Sequence, residues 1–476
     1  MQNYINPFMF FQQIFEEKLA QYAYLIGCEA AGEAIVVDPM RDINRYTEIA
    51  ERNNLKIVAA TETHIHADYL SGLREFAENG VRVLVSDEGD ADWKYEWVIG
   101  STYDHQLLKD DDEFTIGDIK FTAKHTPGHT PEHLSILVAD GAVTDEPMGI
   151  LSGDFIFVGD VGRPDLLETA AGQKGAMQES AKIMYQSIQK FNTLPEYWQI
   201  WPGHGAGSAC GKALGAIPES TVGYEQRFNA SIRAAITEQD FVDFILDGQP
   251  EPPLYFARMK RDNKTGPKVL GGFPQPANMT IEQMIGKVRI SGGVILDTRD
   301  RYTFMDGHIE GSLLLPLNKA FSTAAGSYIR EEEQLFLIAE EEKVEEAVLD
   351  LIRIGLDNIA GFATPDQLKE FARKGGELFT TETIDFKKTE EYLNAGEAYL
   401  LDVRKQSEFE EGHIPGAQNI AHPCLLERID EIPRDKPVMV SCHSGARSAV
   451  ASALLEREDF VVRYVDDLIE EWLEKR

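Results

Sequence analysis

Three side chains that can bind a metal alternate along one short segment, at His64, His66 and Asp68. The segment directly follows an apolar run, residues 56–60, that is typical of a β-strand. In an extended or sharply turning segment, residues two apart point the same way, so these two imidazoles and the carboxylate can converge on one ion. A mixed set of nitrogen and oxygen ligands suits zinc or iron. The spacing therefore predicts a metal site at the end of a strand.

Three later segments each place a ligand directly after a pair of turn-forming residues. His129 and His204 follow Pro-Gly, and Asp154 follows Ser-Gly. Such pairs form a tight turn that aims the next side chain back at the ends of the strands. The order HxHxD, His, Asp, His resembles the metallo-β-lactamase superfamily. That resemblance implies an α/β fold with an αββα sandwich.

Tyr69 determines how many metals to expect. Dinuclear members of that superfamily carry a His at the matching position, and a phenol with a pKa of about 10 is a poor substitute for imidazole at neutral pH. We therefore expect one metal ion per chain. Two His and one carboxylate with open positions match the facial triad of non-heme Fe(II) oxygenases. The residues alone do not say which two His belong to it.

Longer matches narrow the resemblance. Residues 63–72, 128–133, 153–154, 159–166 and 258–267 are similar to those of the persulfide dioxygenases, also called sulfur dioxygenases. The resemblance implies a single Fe(II) held by His64, His129 and Asp154. It also implies a surrounding shell that orients the ligands and the substrate, made of His66, Asp68, Tyr69 and His204.

The same resemblance places a thiol-bearing substrate near Arg163 and Asp165, for which a structural salt bridge in a loop is the competing interpretation. Cys210 follows the His204 loop closely enough to face the metal pocket. There it would meet the substrate, accepting sulfur or guarding the entrance. The competing interpretation is a small buried Cys that packs under a Gly-rich loop.

A second, independent signal lies near the C-terminus. Residues 438–441 are apolar and strand-like, Cys442 opens a loop, and a helix is predicted through 449–455. The inward-pointing N–H groups of the loop, the helix N-terminus and Arg447 would all stabilise a thiolate. The segment resembles the rhodanese active loop CxxGxRS, so Cys442 and Arg447 are expected to be catalytic. The stretch around Asp466 departs from the Gly-Gly pair that is common in rhodaneses, which affects the expected shape of the loop.

An internal repeat indicates two copies of this domain. Residues 295–311 align without gaps to 400–416, at a constant offset. Where the first copy should carry its Cys loop, it reads Glu-Glu-Glu-Lys from Glu340. Carboxylates cannot form an anion-attracting nest, so we expect this copy to be inactive and to act as a spacer or docking module.

Length and composition agree with several domains. The 476 residues suggest roughly three domains, predicted as a metallo-β-lactamase-like domain at 1–250, a linker at 251–277, an inactive rhodanese-like domain at 278–376 and an active one at 380–476. The formal charge of −34 argues against nucleic acid as a partner. We expect no membrane span and no signal peptide, and four scattered Cys suit the cytoplasm. A homo-oligomer remains open.

The favoured hypothesis is a bifunctional sulfide-detoxifying enzyme. The metal domain would use O₂ to oxidise the persulfide of a small thiol to sulfite, and Cys442 would transfer sulfane sulfur, with thiosulfate as one outcome. One alternative is a persulfide carrier or sensor with a structural metal. Another is a thioester hydrolase like glyoxalase II, which Tyr69 argues against. The identity of the thiol and the direction of sulfur transfer stay open.

Overall fold

The computed structural model describes residues 9–169, 175–212, 214–249 and 251–474. By its internal contacts the chain divides into two compact units. The first comprises residues 1–252 and 256–271, and the second comprises residues 253–255 and 272–476.

The first unit contains two six-stranded sheets, ordered β1-β2-β3-β4-β5-β6 and β12-β11-β10-β9-β8-β7. The first sheet is antiparallel from β1 to β3 and parallel from β3 to β6. In the second sheet, β10 and β11 run parallel, so their carboxyl ends lie at the same edge. The strands are β1 Met9–Glu16, β2 Gln21–Cys28, β3 Glu33–Val37, β4 Lys56–Thr61, β5 Arg82–Ser86, β6 His105–Leu108, β7 Glu113–Ile116, β8 Ile119–His125, β9 Leu134–Asp140, β10 Gly149–Gly153, β11 Gln199–Pro202 and β12 Ser220–Thr221.

Helices cover the outer faces of both sheets. The helices of this unit are α1 Asn44–Arg52, α2 Leu73–Glu78, α3 Leu166–Thr169, α4 Ala176–Phe191, α5 Val222–Phe228, α6 Ala230–Ala234, α7 Glu238–Leu246 and α8 Phe256–Thr265, with a 3₁₀ turn at Ala91–Trp93.

Three apolar clusters explain this layering. One joins the facing sides of the sheets and includes Ile35 and Phe121, both of which are fully buried. A second packs α1 and α2 on the first sheet, and a third packs α4 and α7 on the second sheet, where Met184 and Ile188 are one turn apart on α4. All eight residues of β2 are buried, as expected for a strand covered on both faces. The α/β class and the αββα sandwich predicted from the sequence are confirmed.

Helix α8 lies in the segment that the sequence assigned to a linker. Asn263 on this helix is 1 % exposed and donates from Nδ2 to the carbonyls of His66 and Tyr69, both at 2.8 Å. Its Oδ1 accepts the backbone N–H of Ser71 at 2.9 Å. The segment 256–271 therefore packs into the first unit and holds the loop that follows β4.

The second unit contains two five-stranded parallel sheets, ordered β13-β17-β16-β14-β15 and β18-β22-β21-β19-β20. The strands are β13 Ala277–Asn278, β14 Val294–Asp297, β15 Leu313–Leu314, β16 Leu335–Ile338, β17 Ile359–Ala363, β18 Glu382–Ile384, β19 Tyr399–Asp402, β20 Gln418–Asn419, β21 Val438–Ser441 and β22 Val462–Val465. The helices are α9 Ile281–Ser291, α10 Arg301–Asp306, α11 Phe321–Tyr328, α12 Val344–Arg353, α13 Pro365–Arg373, α14 Phe386–Ala395, α15 Gln406–Glu411, α16 Ala446–Arg457 and α17 Ile469–Leu473, with 3₁₀ turns at Glu341–Lys343, His422–Cys424 and Ile429–Glu431.

The two sheets have the same strand order, and the repeated motifs make the same bonds. Arg299 forms a two-pronged ion pair with Asp297 and donates to the Gly307 carbonyl. Arg404 does the same with Asp402 and Gly412. An arginine that satisfies both a carboxylate and a backbone carbonyl fixes the turn after the strand once in each copy, and this arginine is half-buried at Arg299 and buried at Arg404.

Among the described residues, no helix is both long enough and apolar enough to cross a membrane.

Candidate metal centre and sulfur-transfer loop

The predicted metal ligands come from loops at the ends of three strands. His64 follows β4, His129 follows β8 and Asp154 follows β10. Gly153 has φ of 50°, and a Cβ there would lie 2.5 Å from Thr63 Oγ1, so only glycine allows this approach. The turn-forming pairs thus bring the loops together as their sequence indicates.

His64, His129 and Asp154 are buried and converge on one point. Oδ2 of Asp154 lies 3.8 Å from His64 Nε2 and 3.5 Å from His129 Nε2. These ligand atoms form one cluster within 4.8 Å of one another. The structure brings these three predicted residues together.

Each ligand atom in this cluster is free to bind a cation. His129 Nδ1 donates to the Arg163 carbonyl at 2.9 Å, which leaves the Nε2 lone pair available. His64 Nδ1 contacts the Thr63 hydroxyl at 2.9 Å, and among the described residues Asp154 Oδ2 has no hydrogen-bond partner although it is buried. A buried carboxylate oxygen without a partner is costly unless a cation faces it. The donor set therefore fits a metal ion.

Electrostatics keep the ligands in the forms that bind metal. Burial lowers the pKa of His64 well below its usual range, and it also lowers the pKa of His129, so both rings are neutral near pH 7. Burial raises the pKa of Asp154, but the neighbouring His204 outweighs it, and the net pKa lies well below its usual value.

His204 connects two carboxylates rather than joining the three ligands. Its Nδ1 lies 2.7 Å from Asp154 Oδ1, and its Nε2 lies 2.8 Å from Asp68 Oδ2. Burial opposes a charge on this ring, yet the two carboxylates raise its pKa well above the usual value. Asp68, His204 and Cys210 form a second buried set of possible ligands.

His66 and Tyr69 make hydrogen bonds with Asp38 rather than with the three ligands. His66 Nε2 lies 3.1 Å from Asp38 Oδ1, and its ring packs on that of Tyr69 with centroids 4.4 Å apart. The Tyr69 hydroxyl donates to the Asp38 carbonyl at 3.3 Å. The side chains of the HxHxD segment therefore have different partners, because the segment forms a series of bends rather than an extended strand.

Arg163 and Asp165 form an internal ion pair. Arg163 is 1 % exposed, and it donates from Nε and Nη2 to Asp165 at 2.8 and 2.6 Å and from Nη1 to the Ala209 carbonyl at 3.2 Å. Its backbone N–H donates to the Cys210 carbonyl. The pair therefore positions His129 and the Cys210 loop. Burial raises the pKa of the Cys210 thiol well above its usual value, so this thiol is protonated.

Several residues of the site were not predicted from the sequence. Asp38 accepts the backbone N–H of Thr63 at 2.7 Å and has φ of 53°, a backbone conformation uncommon outside glycine. His133 Nε2 accepts the backbone N–H of Asp154 at 3.1 Å, and burial lowers its pKa to about 3. Glu132 accepts the Ile65 N–H at 2.7 Å. The signals available were an Asp directly after the apolar strand β3 and the Glu-His pair that closes the His129 motif.

The Cys442 loop follows β21 as predicted. Cys442 is 2 % exposed, and its sulfur lies 3.4 Å from the hydroxyl of Ser448. Gly445 has φ of 85°, and a Cβ there would collide with the carboxylate of Asp466. Helix α16 then begins at Ala446.

Arg447 is engaged by a carboxylate. Its Nη1 and Nη2 donate to both oxygens of Glu408 at 2.6 and 2.7 Å. Burial acts to raise the pKa of Glu408, but Arg447 outweighs it, and the pKa falls to about 2. The Arg447 guanidinium is thus held at the start of α16 by a bidentate ion pair.

Comparison with known proteins gives a match to part of each unit. The metallo-beta-lactamase superfamily matches residues 17–204, and the rhodanese-like domain matches residues 385–475. The mitochondrial persulfide dioxygenase ETHE1 of Bos taurus is 27 % identical over 199 residues, 40 % of this chain and 67 % of that protein. The cytoplasmic hydroxyacylglutathione hydrolase of Arabidopsis thaliana is 31 % identical over 185 residues, 38 % of this chain and 63 % of that protein.

A solved structure covers more of the chain. A metallo-beta-lactamase from Staphylococcus aureus subsp. aureus COL is 39 % identical, covers 76 % of this chain and 99 % of its own, and superposes with a TM-score of 0.67. From the strand-end ligands, the Cys442 loop and these matches, the chain is a member of the metallo-beta-lactamase superfamily, homologous to the persulfide dioxygenases over its N-terminal part, that also carries a rhodanese-like domain.

Proposed function

We propose that the chain is a bifunctional sulfide-detoxification enzyme: an Fe(II)-dependent persulfide dioxygenase joined to a rhodanese-type sulfurtransferase. The observation that carries this proposal is the convergence of three free, buried ligand atoms, on His64, His129 and Asp154, in a chain that also contains the Cys442 loop. The homology to persulfide dioxygenases and the rhodanese-like domain support an enzyme of this kind.

Iron is favoured over zinc by the chemistry of the substrate. Dioxygen reacts slowly with a closed-shell persulfide, and an Fe(II) held by these three residues would supply open positions and a route for electron transfer between them. The overall reaction is RSSH + O₂ + H₂O → RSH + SO₃²⁻ + 2H⁺. The outer sulfur loses four electrons and O₂ gains four.

The residues around the ligands would hold them in place. Asp38 and Thr63 fix the His64 side of the site, and the Arg163 carbonyl fixes the ring of His129. Four further residues would not touch the iron but would orient the ligands and the substrate through the hydrogen bonds described above. They are His66, Asp68, Tyr69 and His204. Because the guanidinium of Arg163 is occupied by Asp165, we assign both residues a positioning role, with Cys210 closest to the substrate.

The second activity uses Cys442. Its thiolate attacks the outer sulfur of a persulfide, forming Cys442–S–SH and releasing RS⁻. Sulfite then attacks that outer sulfur, which forms thiosulfate and returns Cys442 as a thiol. Each step exchanges one S–S bond for another, so no oxidant is needed. Arg447 would act near these anions while its orientation is held by Glu408.

A thioester hydrolase is the second candidate, because the relative from Arabidopsis thaliana is named as a hydroxyacylglutathione hydrolase. The hydrogen bond from the Tyr69 phenol to a backbone carbonyl weighs against it, since Tyr69 then adds no ligand to a second metal site.

One experiment separates these functions. We expect anaerobically purified protein to contain about one iron per chain, the count that the three-ligand set allows. On adding a thiol persulfide, it should take up O₂ and form sulfite, and it should not hydrolyse a glutathione thioester. Two metals per chain with thioester hydrolysis and no O₂ uptake would overturn the dioxygenase. A tightly held metal with no turnover of any kind would favour a persulfide carrier or sensor.

A further inference from the structure

A cavity of about 270 Å³ lies in the second unit between the two rhodanese-like copies. One part of its wall is the start of α16, at Ala446, Arg447 and Val450. This helix begins four residues after Cys442, so the cavity adjoins the sulfur-transfer loop.

Most of the wall comes from the copy that has no cysteine. That copy contributes an apolar surface, made by Leu314, Leu315, Pro316, Phe321 and Ala324. Such a lining favours a ligand with an apolar body, since burying that body removes apolar surface from water. Sulfite and thiosulfate are small, strongly hydrated anions, and they neither fill this space nor suit its lining.

The cavity also has a cation with unused hydrogen-bonding capacity. Arg301, from the copy without cysteine, contacts Tyr302 Oη at 2.8 Å and Asp466 at 3.2 Å through Nη2. Its Nε is buried and has no hydrogen-bond partner among the described residues. Arg447 is already paired with Glu408, and Asp300 caps α10. Arg301 is therefore a cation of the lining whose guanidinium is not fully engaged by protein groups among the described residues.

His422 adds an uncharged polar group. Burial and then the nearby Arg447 lower its pKa to about 4, so the ring is neutral at pH 7. Its Nδ1 is buried without a hydrogen-bond partner among the described residues. A neutral ring fits an apolar ligand better than an imidazolium would.

We propose that this cavity binds the organic body of the small thiol that gives up or receives the Cys442 sulfur. The thiol has an apolar arm and one acidic group, which pairs with Arg301. The copy without cysteine thereby selects the substrate of the copy that has one. This inference rests on the sulfur-transfer half of the proposed function and adds the class of thiol. In the transfer step, the cavity holds R of RSSH while Cys442 takes the outer sulfur and RS⁻ leaves.

Variants at the mouth of the cavity test this inference. Ala320 is exposed and lines the cavity, so Ala320→Trp adds bulk there without disturbing the core. Arg301→Gln removes the charge. Two matched controls lie on exposed positions outside the lining, Ala395→Trp and Arg289→Gln.

The first readout is binding and does not need turnover. Methylthiohexanoate, an unreactive thioether with an apolar arm and a carboxylate, is titrated calorimetrically into the full chain. Ala320→Trp should weaken binding about tenfold or more, the scale of a steric change in an apolar pocket. Arg301→Gln should weaken the binding of methylthiohexanoate, which carries a carboxylate, but leave the binding of the uncharged methylthiohexanol nearly unchanged. Both controls should bind as the wild type does.

The second readout is specificity. The ratio of kcat/KM for mercaptohexanoate persulfide to that for thiosulfate, with cyanide as acceptor, should fall about tenfold in Ala320→Trp. If the wild type transfers sulfur but binds no thioether, or if Ala320→Trp leaves this ratio at the value of Ala395→Trp, the cavity assignment is wrong and the proposed function stands. If the wild type transfers sulfur from neither donor, both are wrong.

Discussion

His204 lies against Asp154, with 2.7 Å between Nδ1 and Oδ1, and this contact engages one carboxylate oxygen while leaving the other free. The free oxygen, Oδ2, is the one that faces His64 and His129. A single buried carboxylate therefore serves two purposes. One oxygen is fixed by a histidine that does not join the ligand set, and the other completes that set.

The first prediction concerns the ligands. His64→Ala and His129→Ala should each lose bound iron and abolish O₂ uptake, because two remaining ligands hold an ion poorly. Thiosulfate:cyanide sulfur transfer should persist, since Cys442 lies in the other unit. Metal analysis, an oxygen electrode and the sulfur-transfer assay measure this, with His105→Ala as the control. Equal loss of both activities would point to a folding defect or to a shared site.

The second prediction concerns Asn263. Asn263→Ala leaves two buried carbonyls and one buried N–H of the loop that follows β4 without their partner. Each unsatisfied buried group costs about 1–3 kcal/mol, so we expect a clear loss of stability in the first unit and weaker iron binding. Thermal unfolding and iron retention during dialysis measure the two effects. Unchanged iron retention would mean that α8 does not hold the loop.

The third prediction concerns coupling between the activities. Linking two sites raises the effective concentration of one product at the other, often to the millimolar range for short linkers. Cys442→Ser should keep O₂ uptake but accumulate sulfite in place of thiosulfate, because the hydroxyl cannot form a thiolate. Ion chromatography of the products measures this. Wild-type yields of thiosulfate from the variant, where the uncatalysed reaction is negligible, would contradict it.

The fourth prediction concerns the copy without cysteine. Among the rhodanese-like copies, sulfur transfer should depend on Cys442 alone, because the loop after β16 carries Glu340, Glu341 and Glu342 instead of a nucleophile. Mass spectrometry of the chain after exposure to persulfide should find the extra sulfur on a peptide that contains Cys442. A persulfide trapped between residues 278 and 376 would contradict this.

The fifth prediction concerns pH. The folded pKa of His422, about 4, lies below its ordinary value of 6.5, so below pH 6.5 the unfolded chain binds a proton that the folded chain does not. Stability should therefore fall as the pH drops from about 6.5 to 4, by about 2–3 kcal/mol from this group. His422→Gln should remove that part of the pH dependence. The free energy of unfolding, measured across this pH range with His413→Gln as the control, tests the direction of this change. A steeper loss in His422→Gln would contradict it.

Local patterns were sufficient to predict most of the architecture. Alternating strand and helix signals indicated the α/β class, and the repeat at a constant offset indicated two copies that the structure shows with the same strand order. The turn pairs before His129, Asp154 and His204 indicated that these side chains lie at strand ends. Such signals are readable because backbone geometry depends on a few neighbouring residues.

The division of labour within the site depended on tertiary structure. The spacing of His64, His66 and Asp68 is compatible with one shared ion, yet in the structure His66 turns to Asp38 and Asp68 to His204. These partners are separated by 28 and 136 residues, and no local pattern encodes such contacts. The sequence by itself thus determined which residue types reach the strand ends. It also determined that Cys442 begins a loop that leads into a helix. Only the packing of distant strands decided which nitrogen faces which oxygen, placed the segment 256–271 in the first unit, and formed the cavity between the two copies.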